Sequence, residues 1–269
     1  MPSSPRRRIV PEPVTAKVPE ITAIFWVVKI LTTAAGEATS DYFAVHDILL
    51  GAVIEVALLA VGLLWQFRVR RYVASAYWFL AYAIASFGTG VADVMHKVLG
   101  IPYPGTTVFW AVILAAVFVA WHRSEGTLSI HSIVTTRREC FYWATVIATF
   151  ALGTALGDLT AYTFGLGFLT SIVLFLVAIV LPGLAWWKLG MNAIAAFWCS
   201  YVVTRPLGAS ISDYLSKPRS VSGLGLGDGP IALLLLALTA ACVVYLGIRR
   251  PDIQRHPELR PGSHASGSR

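Results

Sequence analysis

Long apolar segments follow one another along almost the whole chain, and they are of two kinds. Four are nearly free of charge and approach the roughly 20 residues with which an α-helix crosses a hydrocarbon core of about 30 Å. These four lie at 48–67, 105–121, 168–187 and 231–248. The other four are equally long but contain acids, glycines and threonines, and they lie at 21–45, 72–99, 140–164 and 193–215. The pattern predicts an all-α membrane protein with eight transmembrane helices.

The more polar segments share a repeat. Near its start each has an aromatic residue followed by a tryptophan, then a glycine ten residues and an aspartate fifteen residues after the tryptophan. The tryptophans are Trp26, Trp78, Trp143 and Trp198. The glycines are Gly36, Gly88, Gly153 and Gly208, and the aspartates are Asp41, Asp93, Asp158 and Asp213. Each unit contains two spans and enters the membrane from the same side, which predicts parallel repeats in a pseudo-fourfold arrangement or a pseudo-twofold pair of pairs.

The repeat divides the chain into six parts. Four two-helix repeats are predicted at 21–74, 75–134, 135–190 and 191–250, between disordered cytoplasmic tails at 1–20 and 251–269. The first tail has no short apolar core ahead of a small-residue cleavage site, so no secretory signal is expected and the first span should be retained.

The first repeat resembles a known family through a set of short motifs. They are Val18-Pro19-Glu20, Phe25-Trp26, Lys29-Ile30-Leu31, Gly36-Glu37 and Asp41. The family is a bacterial membrane family of unknown function with four tandem two-helix repeats and a characteristic tryptophan. The resemblance covers residues 18–250; it implies the repeat architecture and brings no catalytic residues. Later repeats replace Lys29 and Glu37 with uncharged residues, so any charged site should be asymmetric.

Composition and charge agree with a membrane protein. The sequence is 57% hydrophobic and 13% charged, against about 25% charged residues in soluble domains. Sixteen of the 21 basic residues fall on loops or tails of one side: Arg6, Arg7, Arg8, Lys17, Arg68, Arg70, Arg71, Arg123, Arg137, Arg138, Lys188, Arg249, Arg250, Arg255, Arg260 and Arg269. The positive-inside rule then predicts a bacterial inner-membrane protein with both termini cytoplasmic. This explains the net charge of +7 without a nucleic-acid partner.

Polar residues share one face of each odd-numbered span. Positions 3, 7, 11, 14 and 15 after the tryptophan lie on its side of an α-helix, and this stripe is too polar in the first span to face lipid. Ionisable groups at mid-bilayer cost at least roughly 2.5–3.5 kcal/mol each, so they should pair, protonate, meet water or bind a cation. The predicted ion pathway comprises Lys29, Thr33, Glu37, Asp41, Glu55, Asp93, Asp158, Arg205 and Asp213.

Several of these residues also have structural interpretations. The four repeated aspartates could be interfacial residues or helix caps. Lys29 could pair with Glu37 or extend to the interface. Arg205 could bond carbonyls freed by the adjacent Pro206, although its repeat register also suggests an ion pair with Glu37.

The sequence also contains candidate metal ligands. Carboxylates and imidazoles suit divalent transition metals, and the candidate ligands are Glu37, Asp41, Asp93 and His96. The three cysteines, Cys140, Cys199 and Cys242, lack metal-ligand spacing and are interpreted as small core residues.

Two function classes remain open from the sequence. The first is a transporter or exporter of a small cation, with a divalent metal ion or a proton-coupled solute as candidate substrate, because the interior is net acidic and the repeats are parallel. The alternative is a non-transporting membrane protein that binds a lipid or cofactor or assists assembly. Beyond these two classes, an intramembrane enzyme is the weakest alternative, because no nucleophile and base stand out together and no HExxH, GxSxG or Walker motif is present. The glycine run 223–229 follows no strand and is expected to be a flexible loop.

Overall fold

The computed structural model describes residues 16–254, which are all-α and contain no strand. Eight long helices follow one another along the chain. They are α1 (Ala23–His46), α2 (Ile48–Arg68), α3 (Ala74–Asp93), α4 (Tyr103–Glu125), α5 (Thr136–Asp158), α6 (Gly167–Leu189), α7 (Ala193–Ser216) and α8 (Asp228–Arg249). Single π-helical turns, Val94–Val98 and Leu159–Thr163, extend α3 and α5. The predicted all-α class and the four two-helix units are confirmed.

Polar side chains cap the N-termini of several helices, and glycines end others. The Asp47 carboxylate accepts a hydrogen bond from the backbone N–H of Leu50 at 2.9 Å, which caps α2 immediately after α1 ends. Asn192 accepts from two N–H groups at the start of α7. Gly126 and Gly190 end α4 and α6 with φ of 70°, a left-handed conformation that glycine adopts without strain.

The odd-numbered helices form a closed ring. In the described chain, α1 packs on α3, α3 on α5, α5 on α7, and α7 returns to α1. The even-numbered helices lie outside, with α2 against α3, α4 against α5, α6 against α7 and α8 against α1. Each repeat therefore covers the inner helix of the next one, and the last repeat covers the first. Of the two arrangements predicted, the pseudo-fourfold one is present.

The repeated glycines are the contact points of this ring. A Cβ atom on Gly36 would lie 2.3 Å from Ala85 Cβ, and one on Gly208 would lie 2.0 Å from Thr33 Oγ1. Gly88 and Gly153 meet Phe150 and Arg205 in the same way. In every case the glycine ten residues after one tryptophan meets the residue seven positions after the next tryptophan. Close helix contact at small residues, expected from the sequence, is thus repeated around the ring.

The two layers divide the apolar and polar residues. Six described helices are long and apolar enough to cross a membrane: α2, α3 and α5 with their π-helical turns, α4, α6 and α8. Helices α1 and α7 have 24 residues each but are less apolar, because the charges of the predicted pathway concentrate on them. Their charged side chains are buried inside the ring, while the outer helices expose large apolar residues such as Leu49, Leu181 and Leu233.

Some sequence expectations were wrong. Cys140 and Cys199 are exposed and therefore are not core residues, whereas Cys242 is half-buried and packs against the main apolar cluster. The glycine run is hydrogen-bonded rather than loose, since the backbone N–H groups of Leu224, Leu226 and Gly227 donate to carbonyls at the end of α7.

The terminal segments meet at one end of the ring. The backbone N–H of Glu20 donates to Asp252 O at 2.8 Å, and the buried Lys17 ammonium pairs with Glu139 Oε2 at 2.6 Å. Residues 16–20 and 251–254, assigned above to the tails, are therefore bonded to the helical bundle. The remaining tail residues, 1–15 and 255–269, lie outside the described residues.

Candidate functional site

The predicted polar stripes meet along the axis of the ring in successive layers. Three residues after the tryptophans stand Lys29, Ala81, Val146 and Tyr201. Seven residues after them stand Thr33, Ala85, Phe150 and Arg205. Eleven residues after them stand Glu37, Thr89, Thr154 and Ala209. All twelve side chains are buried. The sequence therefore identified the axial face of each inner helix correctly.

Arg205 connects all four repeats at the centre of the ring. Its Nη2 lies 2.5 Å from Glu37 Oε2 in repeat 1 and donates to Thr154 Oγ1 in repeat 3 at 2.7 Å. The same nitrogen donates to Thr89 Oγ1 in repeat 2. The ion pair between Glu37 and Arg205 suggested by the register is present, and it is fully buried. Gly153 makes room for this arrangement, since a Cβ atom there would lie 2.4 Å from Arg205 Cγ.

The proline interpretation of Arg205 is not supported. Its Nη1 donates to Thr33 O at 2.9 Å and Nη2 also approaches Ala85 O at 3.4 Å, and these carbonyls belong to α1 and α3. The carbonyls it bonds are therefore not those freed in α7 by Pro206. The side chain joins helices rather than repairing a kink in its own.

Lys29 is buried between two aromatic rings. Its ammonium lies 3.9 Å from the ring centroids of both Phe150 and Tyr201 and has no hydrogen-bond partner in the described chain. A desolvated cation is attracted to aromatic faces by roughly 2 kcal/mol or more. The alternatives of pairing with Glu37 and of extending to the interface were both wrong. Lys29 and Arg205 thus place two basic side chains along the same axis.

Aromatic residues close the ring at the end where the tryptophans lie. Three of the repeat tryptophans, Trp78, Trp143 and Trp198, are buried in one cluster, and Trp26 is half-buried against it. Tyr142 Oη contacts Tyr77 Oη and lies 3.5 Å from Tyr201 Oη. The terminal segments cover the same end, because Val18 belongs to this cluster. The polar axis is therefore covered at the tryptophan end.

The four aspartates lie toward the opposite end and differ in their partners. Asp41 pairs with Lys217 at 2.8 Å, and Asp93 pairs with Lys97 at 2.7 Å. Asp158 is half-buried, and no ion pair joins it to another described residue. Asp213 is buried, and its Oδ1 has no hydrogen-bond partner in the described part of the chain. The helix-cap interpretation was wrong for Asp93 and Asp158, which precede π-helical turns without capping them.

Lys217, just beyond the end of α7, faces several acids. Burial lowers the pKa of its ammonium, but the neighbouring carboxylates, led by Asp41, outweigh burial and raise the pKa above its ordinary value. Lys217 also lies 3.1 Å from Asp228 at the start of α8. It is therefore a permanent cation at the rim of the aspartate layer.

Three carboxylates come together on the α7 and α1 side of the axis. One oxygen each from Glu37, Asp41 and Asp213 lies within 4.8 Å of the other two, and all three residues are buried. Oxygen ligands of this kind suit hard divalent cations such as Mg²⁺, Ca²⁺ or Mn²⁺. The residues present thus fit a divalent cation.

This group differs from the metal ligands suggested by the sequence. Asp213 joins Glu37 and Asp41, whereas Asp93 and His96 belong to no such three-residue group in the described chain. His96 Nδ1 lies 2.9 Å from Ile101 O, and its ring stacks on Tyr103. The contacts between the inner helices explain why Asp213 belongs to the group. Each repeated glycine contacts the next inner helix at a position three residues earlier in the repeat, as Gly208 does at Thr33. The same offset brings Asp213 beside the segment of α1 that contains Glu37 and Asp41.

Glu55 and Thr33 occupy different environments. Glu55 is buried on the outer helix α2, facing α3 rather than the axis, and accepts a hydrogen bond from Ser86 Oγ at 2.8 Å. The structure therefore does not place it in the axial column. Thr33 lies on the axis, but its hydroxyl donates to Ile30 O at 2.7 Å within its own helix.

Sequence reasoning missed the residues that complete the site. Thr89 and Thr154 were noted only as uncharged replacements for Glu37, yet both accept hydrogen bonds from Arg205. Lys97 and Lys217 were counted only as loop charges. The spacing gave a usable signal only for Lys97, which follows Asp93 by four residues, one helical turn, and pairs with it. Lys217 follows Asp213 by the same spacing but pairs with Asp41.

Comparison with known proteins gives the family alone. A family model described as "Repeat of Unknown Function (DUF347)" matches four times, at residues 24–72, 76–127, 141–191 and 196–250. No curated protein and no solved structure matches the chain. The four matches each span one inner and one outer helix of the ring. The chain therefore belongs to the DUF347 repeat family and carries four tandem copies of its repeat.

Proposed function

We propose that this protein is a membrane transporter of a small cation, with a divalent metal ion as the favoured substrate, and that it is not an enzyme. The observation that carries the proposal is the group of three buried carboxylates formed by Glu37, Asp41 and Asp213. Three acids so close together in a low-dielectric interior repel one another unless a cation or protons compensate them. Arg205 pairs with Glu37 and Lys217 pairs with Asp41, so Asp213 is the member of the group without an ion pair in the described chain.

The built-in cations suggest how a transported ion is handled. An ion that enters from the aspartate end meets the Asp213 carboxylate, one oxygen of which has no hydrogen-bond partner in the described chain. Full coordination by Glu37 then competes with the Arg205 ion pair, and that competition links ion binding to the contact that joins the four repeats. A ligand shifts a conformational equilibrium only through such differential contacts.

Ion flux into proteoliposomes tests this function. We expect purified protein to carry Mn²⁺ or Mg²⁺, and Asp213→Asn to reduce the initial rate at least tenfold, because the amide preserves size but removes the negative charge. Asp47→Asn is the matched control, since Asp47 lies at the same end of the ring, is exposed, and caps α2 through an oxygen that asparagine retains. Equal flux through the Asp213 variant and the wild type would contradict the proposed site. Absence of flux from wild-type protein would favour the alternative, a non-transporting membrane protein.

We also propose that the protein lies in a bacterial inner membrane with both termini in the cytoplasm. Basic residues support this orientation, because those of the described chain concentrate on loops at the tryptophan end. Single cysteines in a cysteine-free variant test it. A membrane-impermeant maleimide added to intact spheroplasts should label Ser220→Cys but not His131→Cys, two exposed positions on opposite loops. The reverse pattern would invert the proposed orientation.

A further inference from the structure

A cavity of about 470 Å³ lies away from the axis, between the end of α1, the first half of α2 and the end of α3. Most of its wall is apolar and includes Phe43, Ile48, Val56 and Phe87. Val45, Ile48 and Val56 on its rim are exposed on the outer surface of the bundle, where lipid would lie. The cavity thus faces the membrane laterally. Its volume is within the range of about 300–1,000 Å³ that is usual for small-molecule sites.

One acid in this cavity has no basic partner. Asp41, Asp93 and Glu55 all line the wall, but Asp41 and Asp93 are paired with Lys217 and Lys97. Glu55 has no ion pair within the described chain; it accepts a hydrogen bond from the Ser86 hydroxyl at 2.8 Å and also interacts with the Ser40 hydroxyl. It is 5% exposed. An acid so placed in a membrane normally indicates a partner or a function.

Gly90 shows that the cavity is specific to one pair of repeats. A Cβ atom on Gly90 would lie 2.2 Å from Glu55 Oε2, so any larger residue would displace the carboxylate. Residues at the same repeat position elsewhere are Ala38, Ala155 and Ser210. The space for the Glu55 carboxylate therefore exists only between repeats 1 and 2.

We propose that this lateral cavity binds an amphipathic organic cation that enters from the lipid, with its ammonium group against Glu55 and its apolar body along α2 and α3. Charge complementarity favours this occupant over a lipid acyl chain, because the three acids of the wall, Asp41, Glu55 and Asp93, outnumber its two lysines, Lys97 and Lys217. The proposal goes beyond the axial transport of a small ion: Asp41 borders both sites, but the cavity wall is largely apolar and contains Glu55, which is not one of the three axial carboxylates.

Binding of a probe cation and its uncharged isostere tests the proposal. The probes are benzyltrimethylammonium and neopentylbenzene, which differ only by replacement of the quaternary nitrogen with carbon, and binding to full-length protein in phosphatidylcholine nanodiscs is followed by calorimetry. We expect the cation to bind at least tenfold more tightly than the isostere. Glu55→Gln should remove this preference, while Asp213→Asn should leave it unchanged and so separate this cavity from the axial site.

A second variant keeps the test informative where the Glu55 change disturbs folding. Ala52 lines the cavity from an exposed position on α2, so Ala52→Phe should fill the space and weaken cation binding without altering the buried carboxylate. Equal binding of both probes to the wild type, or unchanged cation binding in both variants, would overturn the proposal and identify the cavity as a crevice for lipid tails.

Discussion

Arg205→Met is expected to lower the free energy of unfolding by about 3–5 kcal/mol, which is typical for removal of one partner of a buried ion pair. The change leaves the Glu37 carboxylate without its cation and frees the hydroxyls of Thr89 and Thr154. It also removes the side-chain contact through which repeat 4 holds the other three repeats. Denaturant unfolding of purified protein in detergent measures the effect.

Two controls distinguish the ion pair from a general loss of arginine. Arg219→Met removes an exposed arginine from the loop after α7 and should change the unfolding free energy by less than about 0.5 kcal/mol. The double change Glu37→Met with Arg205→Met should recover much of the lost stability, because no uncompensated charge remains buried. A double variant as unstable as the single one would show that shape, not charge, dominates this contact.

Gly36→Ala is expected to lower the unfolding free energy by about 1–3 kcal/mol, a usual cost of inserting a methyl group into a closely packed contact. The new Cβ would lie 2.3 Å from Ala85 Cβ and 2.7 Å from the backbone nitrogen of Ser86, so relief requires α1 and α3 to separate. Gly88→Ala should lower the unfolding free energy by less, because its new Cβ would lie 2.9 Å from the nearest atom, Phe150 Cβ. Thermal unfolding followed by far-UV circular dichroism measures both effects.

A glycine on the outer layer gives the matched control. Nothing lies within 4 Å of a Cβ on Gly183 in α6, so Gly183→Ala should leave stability unchanged or raise it by up to about 1 kcal/mol through helix propensity. Destabilisation of the Gly36 and Gly183 variants to the same extent would contradict the role assigned to the ring contacts.

The axial residues show how far the repeat alone leads. Lys29, Glu37 and Arg205 could be assigned to one stripe because helical periodicity determines which face a side chain occupies and how deep it lies. Those two coordinates were enough to suggest the pair between Glu37 and Arg205, which is present. They were not enough for Lys29, whose partners are rings from α5 and α7.

The sequence by itself determined the local and repeated features: eight helices, four parallel units, the glycine contacts and the polar faces, all of which follow from hydropathy, periodicity and spacing. Only the tertiary structure decided which inner helices are neighbours in the ring and which outer helix covers each of them. That order places Asp213, rather than Asp93 and His96, beside Glu37 and Asp41, and it turns Glu55 toward a lateral cavity. The physical reason is that a sequence register gives depth and face along one helix, whereas the neighbour across the axis depends on how all eight helices pack together.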